Sequence, residues 1–153
     1  MNTKLLTSLF ESDAGWSALI LRAPVGIVLA AHGAQKLFAW FGGYGLEGTG
    51  QYMESIGLAP GFLMALLAGS AEFFGGLALV LGLLTRPAAL VSAFTMLIAI
   101  FTAHISNGLF LSNGGYEYAL ALFAATLSLV FSGAGRWSLD GLVARKFAAV
   151  SAQ

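Results

Sequence analysis

Four stretches of the chain stay apolar long enough to cross a bilayer, and short polar segments separate them. The first runs from about Trp16 to Phe41, the second from about Pro60 to Leu84, the third from about Pro87 to Ile105 and the fourth from about Tyr116 to Phe131. A hydrocarbon layer of ~30 Å takes about 20 helical residues, and runs of this length are too long for strands. The predicted fold is therefore all-α: one domain over residues 1–153, an integral membrane four-helix bundle. Pro24, Pro60 and Pro87 read as lying near helix starts, where a missing N–H costs little. Between the first two spans, the Gly-rich segment Gly42 to Ala59 predicts a short helix from Thr49 to Ile56, ended by Gly57. Tyr52, Met53 and Ile56 would lay that helix on the bundle as a lid. After the fourth span, a short amphipathic C-terminal helix is expected. Its Leu142, Val143 and Phe147 would face the membrane, and Arg145 and Lys146 the anionic headgroups.

Lys and Arg are distributed unevenly over the connections. With the N-terminus inside, Lys4, Arg22, Arg86, Arg136, Arg145 and Lys146 fall on or near the cytoplasmic side, and only Lys36 falls towards the outside. That bias predicts both termini cytoplasmic. Ala31-His32-Gly33-Ala34 loosely imitates a signal-peptide cleavage site, but Arg22 inside the apolar run argues for a retained span.

Composition agrees with the membrane class: 58% of residues are hydrophobic and 9% charged, against roughly 25% charged in soluble domains. A net charge of zero, with no basic run, argues against nucleic acid as a partner. The chain has no cysteine, which removes disulfides, thiolate catalysis, cysteine-ligated iron–sulfur clusters and covalent haem attachment. Two histidines make a protein-only zinc site a poor expectation, so no metal site is predicted.

Charges inside a bilayer cost about 2.5–3.5 kcal/mol each on insertion scales, so each needs a reason. At 100° per residue, Arg22, His32 and Lys36 share an arc of roughly 80° on the first helix, a face that must point into the bundle. Glu72 lies about 18 Å into the second span, close to mid-membrane, and is the natural partner of His32 or Lys36. Gly69, Gly75 and Gly76 around it allow another backbone to approach closely. Glu117 opens the fourth span, with Ala121, Ala124, Ala125 and Ser128 following it as a small-residue stripe. His104 ends the third span at a similar level. Five ionisable groups (His32, Lys36, Glu72, His104 and Glu117) are thus expected to converge on the outer half of the bundle. They form either a polar network that only fixes helix packing or a site for a ligand, a proton or a quinone headgroup. Arg22 and Arg86 read more plainly as cytoplasmic-side anchors that snorkel or cap. Haem held by both histidines is disfavoured, because their depths differ by on the order of 10 Å. Trp40, Phe41 and Tyr44 at one end, and Trp137 at the other, read as interfacial belts.

The ordered motifs resemble the DoxX family of small bacterial membrane proteins. The resemblance rests on Arg22 opening the first span, His32-Gly33-Ala34-Gln35-Lys36 closing it, and Ser70-Ala71-Glu72-Phe73-Phe74-Gly75-Gly76 in the second. It continues through Gly82-Leu83-Leu84-Thr85-Arg86, Gly115-Tyr116-Glu117 and Gly133-Ala134-Gly135-Arg136-Trp137-Ser138-Leu139-Asp140. The resemblance implies a four-helix protein of the bacterial inner membrane, from a family named for a small subunit of a terminal quinol oxidase and related to thiosulfate:quinone oxidoreductase. Two functions follow as expectations. In the first, the chain is a quinone- or quinol-binding subunit of a membrane redox complex. Glu72, His32 and Lys36 carry its chemistry, and Gln35, His104, Glu117 and Arg22 bind the ligand. In the second, the chain is a non-enzymatic carrier or assembly partner using the same cavity. The bilayer, a redox partner subunit and a second copy of the chain are the candidate partners.

The topology can be checked with single cysteines in this cysteine-free chain. Gly43→Cys and Asn113→Cys should label with an impermeant maleimide on intact cells, and Ser151→Cys should label only after lysis. Labelling of Ser151→Cys from outside would reverse the orientation.

Overall fold

A computed structural model describes residues 9–151. Six α-helices and no strand occur among the described residues: α1 (Gly15–Phe38), α2 (Gly45–Ser55), α3 (Gly61–Leu81), α4 (Thr85–Ala99), α5 (Glu117–Ser132) and α6 (Leu139–Ser151). A π-helical turn, Ile100–His104, and a 3-10 turn, Ile105–Asn107, prolong α4. Three helices are long and apolar enough to cross a membrane: Gly15–Phe38, Gly61–Leu81 and Thr85–Asn107. Glu117–Ser132 is apolar but shorter, about 24 Å at 1.5 Å per residue. Lys4, counted in the charge bias, lies outside the described residues.

The helix ends follow local chemistry. Gly82, at φ +64°, closes α3: its N–H donates to Leu79 O, and the Leu83 N–H donates to Ala78 O. This is the Schellman pattern that glycine permits. Gly57 ends α2 the same way, as expected, with its N–H on Glu54 O and the Leu58 N–H on Met53 O. The start of α2 differs from expectation. It begins at Gly45, four residues before Thr49, and Thr49 is buried inside the helix rather than capping it. Pro24 also differs. It lies inside α1, which runs on through it, with buried Arg22 and Gly26 on either side. Pro87 does sit in the first turn of α4.

Two helices touch more closely than ordinary side chains allow. On α1, Gly26 and Gly33 face Gly76 and Gly69 of α3, in antiparallel register. A Cβ on Gly26 would stand 2.6 Å from Gly76 O, and one on Gly33 would stand 2.7 Å from Gly69 O. Four missing side chains therefore let the backbones pack directly, the main route to helix association where lipid supplies no hydrophobic drive. Gly75 faces α4 instead, with Ser92 Oγ 2.7 Å from where a Cβ would be. On α5 the core row is Ala119, Leu122, Thr126 and Leu129. The stripe Ala121, Ala124 and Ser128, expected to face inward, is exposed. This row, at i+3 and i+4 spacing with Leu122 and Leu129 in it, faces the bundle centre and turns the small residues outward.

The end opposite α2 is tied by Arg22 and Asp140. Arg22 is fully buried and directs its five donor hydrogens at five carbonyls: Ala134, Leu79, Val80, Arg136 and Trp137. An arginine has five N–H donors, so none is left unmade. Asp140 accepts from the N–H groups of Leu84 and Thr85 at 2.7 and 2.8 Å, capping α4. Its own N–H donates to Gly82 O. Arg86 caps the end of α5 through Val130 O and Phe131 O, both at 2.6 Å. α6 leaves this base with Leu142 exposed and Phe147 stacked on Phe10 at 6.5 Å.

Arg22→Met would strand the α3 carbonyls and the Gly133–Asp140 turn. We expect a loss of at least about 3 kcal/mol in detergent unfolding, from several unsatisfied buried acceptors. A loss below about 1 kcal/mol would show that water or backbone shifts replace the guanidinium.

Candidate functional site

A cavity of about 660 Å³ lies at the α2 end of the bundle, walled by α1, α3, α4 and α5 and roofed by α2. Its lining is mostly apolar. Lys36 and Glu72 are its formally charged members apart from the histidines: Lys36 Nζ donates to Glu72 Oε2 at 2.6 Å. Among the described residues this is the one ion pair. Glu72 is 3% exposed and Lys36 about a quarter exposed at its side chain, so the carboxylate is the deeper partner. The expectation that Glu72 is buried within reach of His32 or Lys36 holds for Lys36. The contact follows from the glycine pairing above, because Gly69 stands against Lys36 and thereby brings α1 within one side-chain length of Glu72.

His32, one helical turn from Lys36, lines the same cavity and packs its ring 6.0 Å from that of Tyr118. His104 lines it from the π-helical turn, with Nδ1 2.8 Å from Gly114 O. That bond fixes the ring, leaving Nε2 as its other polar atom. Such a turn shifts the register of following side chains, and it occurs here where α4 meets the cavity.

Three predicted site residues are placed elsewhere. Arg22 sits at the opposite end of α1 and spends all its donors on carbonyls, so it is an anchor and not a cavity residue. Glu117 does not join the cluster; its Oε1 accepts from the Leu111 N–H at 2.6 Å and pins the loop before α5. Gln35 donates to Phe41 O at 3.3 Å and lines a second pocket of about 560 Å³ beneath Gly42–Tyr44. Lys36, Thr49 and Tyr52 line both pockets, so the ammonium stands between them. Thr49, Thr95 and Tyr118 contribute polar atoms that charge-based reading passed over. Neutral hydroxyls in a span carry little signal, because each can bond its own helix, as Thr95 does to Val91 O.

The DoxX family model matches residues 17–105. The chain belongs to the DoxX family. DoxX proteins similar to it include CatD of Bacillus subtilis, named as a candidate oxidoreductase, 36% identical over 74% of this chain and 78% of CatD. The inner membrane protein YqjF of Escherichia coli is 38% identical over 67% of this chain and 78% of its own length. The membrane protein Rv3486 of Mycobacterium tuberculosis is 30% identical over 95% of this chain and 92% of its own. No solved structure matches the chain. The DoxX match covers α1, α2, α3 and α4, and so the whole Lys36–Glu72 contact and His32. This is a membrane protein of that family.

The position of Gly33 gives a test of how the pair is made. Gly33→Leu should push α1 from α3, lower the thermal midpoint and weaken the Lys36–Glu72 contact, at a cost of about 1–3 kcal/mol or more. An unchanged midpoint would show that the helices tolerate a wider spacing.

Proposed function

We propose that this DoxX protein is a quinone- or quinol-binding subunit of a membrane redox complex in the bacterial inner membrane. The observation that carries this reading is the Lys36–Glu72 pair set into a mostly apolar cavity at the level of three long apolar helices. An apolar chamber with a few convergent polar groups is what a ring-and-chain ligand needs. Lys36 and His32 donate hydrogen bonds to a quinone oxygen, and Glu72 exchanges the proton. Reduction takes electrons from a reduced partner subunit and protons through Glu72, converting each ring carbonyl to a hydroxyl; oxidation runs the reverse. A proton carrier must hold and release its proton within hydrogen-bond reach, and Glu72 Oε2 lies 2.6 Å from the Lys36 ammonium at the cavity wall. The oxidoreductase label of CatD favours this class.

In this reading α5 is a fourth span, shortened because polar turns flank it, and both termini are cytoplasmic. Arg22, Arg86 and Arg136 gather at the base end, in agreement with the basic bias. The chain takes its place as a multi-pass inner-membrane subunit.

Glu72→Gln and Lys36→Met test the site. Each should abolish retention of a tailed quinone on the purified protein while insertion and yield persist. A purely structural pair behaves differently: each single change costs about 3–5 kcal/mol, and the double change recovers much of it. Restored stability with undiminished quinone retention in the double variant would remove the site. A purified protein that instead holds a non-redox amphiphile would mark it as a carrier.

A further inference from the structure

Helices enclose part of the cavity. α2 covers its top, where a Cβ on Gly50 would stand 3.0 Å from the Phe62 backbone. α1 and α5 wall it through Leu29, His32, Ala119 and Leu122. Towards the base, α3 and α4 meet where Gly75 takes Ser92, and the short Gly82–Leu84 link joins them below. Above Gly75 and Ser92 both helices border the cavity. Ala68 and Ala71 of α3 and Thr95 and Ala99 of α4 line the cavity from either side of the gap rather than sealing it.

The rim of that gap faces outward. Leu67, Val91, Phe94 and Ile98 line the cavity and are also 56%, 50%, 63% and 39% exposed. On α3 the lining residues sweep from Glu72 through Ala68 and Ala71 to Leu67, an arc of roughly 140° that begins inside the bundle and ends on its flank. All four rim residues are apolar and lie within helices long enough to span a membrane, so acyl chains and not water meet this flank. The polar end, Lys36 with Glu72, lies at the inner limit of the same space.

We propose that the fork between α3 and α4 is a lateral portal. Through it the hydrocarbon chain of a bilayer-dissolved amphiphile occupies the cavity while its polar head meets Lys36 and Glu72. The inference rests on reading the cavity as a ligand site, and it adds the route and the ligand class: a molecule delivered from the membrane, with a chain that stays in the fork. The flank offers apolar surface only, so a chain-bearing amphiphile is the class it admits; water reaches Lys36 from the second pocket at the helix end.

The absence of cysteine permits a direct measurement. Thr95→Cys, labelled with bimane and reconstituted in phosphatidylcholine vesicles, is compared with Phe74→Cys on the lipid-facing side and Tyr44→Cys at the helix end. Mid-chain nitroxide lipid should quench Thr95→Cys to an extent comparable with Phe74→Cys, whereas aqueous iodide should quench only Tyr44→Cys. Ala68→Cys, on the facing wall, repeats the measurement should Thr95→Cys fold poorly. Insensitivity of both wall positions to nitroxide lipid overturns the portal. So does quenching that appears only on extreme dilution of protein in lipid, which would show a second copy covering the fork. A separate arm tests the quinone. A decyl-tailed benzoquinone with its other three ring positions methylated should slow alkylation of Thr95→Cys by a lipid-soluble maleimide by more than about tenfold over tetramethylbenzoquinone, neither ring having a free position for the thiol to attack. Nitroxide quenching without protection by either compound keeps the portal and removes the quinone.

Discussion

The contact on which the rest depends is the direct backbone packing of α1 on α3. Gly26 against Gly76 and Gly33 against Gly69 set the distance between the two helices: a Cβ on Gly26, Gly33 or Gly76 would strike backbone, and one on Gly69 the Leu37 side chain. That spacing puts Lys36 beside Glu72, and without it a carboxylate would stand unpaired near mid-membrane, at several kcal/mol. Buried charge and missing side chains are therefore one arrangement. The glycines bring the charges together, and the ion pair makes the separation of the helices costly.

The two ends of the bundle are finished by opposite means. At the base, Arg22 and Asp140 satisfy helix-end carbonyls and N–H groups that have no water to turn to, which closes that end. At the other end the lid is held by glycine contacts such as Gly50 on Phe62, and hydroxyl and aromatic groups face a chamber. A rigid base and a roomy top put the only ion pair among the described residues where a ligand can reach it.

Much of this was legible in the residue pattern, for reasons that can be named. Apolar length marked α1, α3 and α4, because the bilayer thickness fixes how many residues a span takes. The cost of charge marked Glu72 and Lys36. The carbonyl-capping role of Arg22 was one of two readings, and backbone acceptors, having no sequence signature, could not decide between them. Gly26 and Gly33 were passed over because a glycine announces close packing only once its register partner is known. Glu117 was misplaced for a related reason: a carboxylate at a helix start can bond a loop N–H as readily as face a cavity. The α5 stripe failed because small residues mark close approach but not to what, and the leucine row on the adjacent face had the stronger claim on the core.

Arg22 also sets an order of events during synthesis. Three of its five acceptors, Ala134, Arg136 and Trp137, lie 112 to 115 residues later in the chain. At ~5–20 residues per second the ribosome needs roughly 6–20 s to reach them. Through that interval the guanidinium lacks those three partners, with Leu79 O and Val80 O, 57 and 58 residues on, reached earlier and lipid headgroups and water offering the rest. The base therefore closes last, and the Gly133–Asp140 turn acts as a latch that engages only on a bundle whose first helix has waited for it.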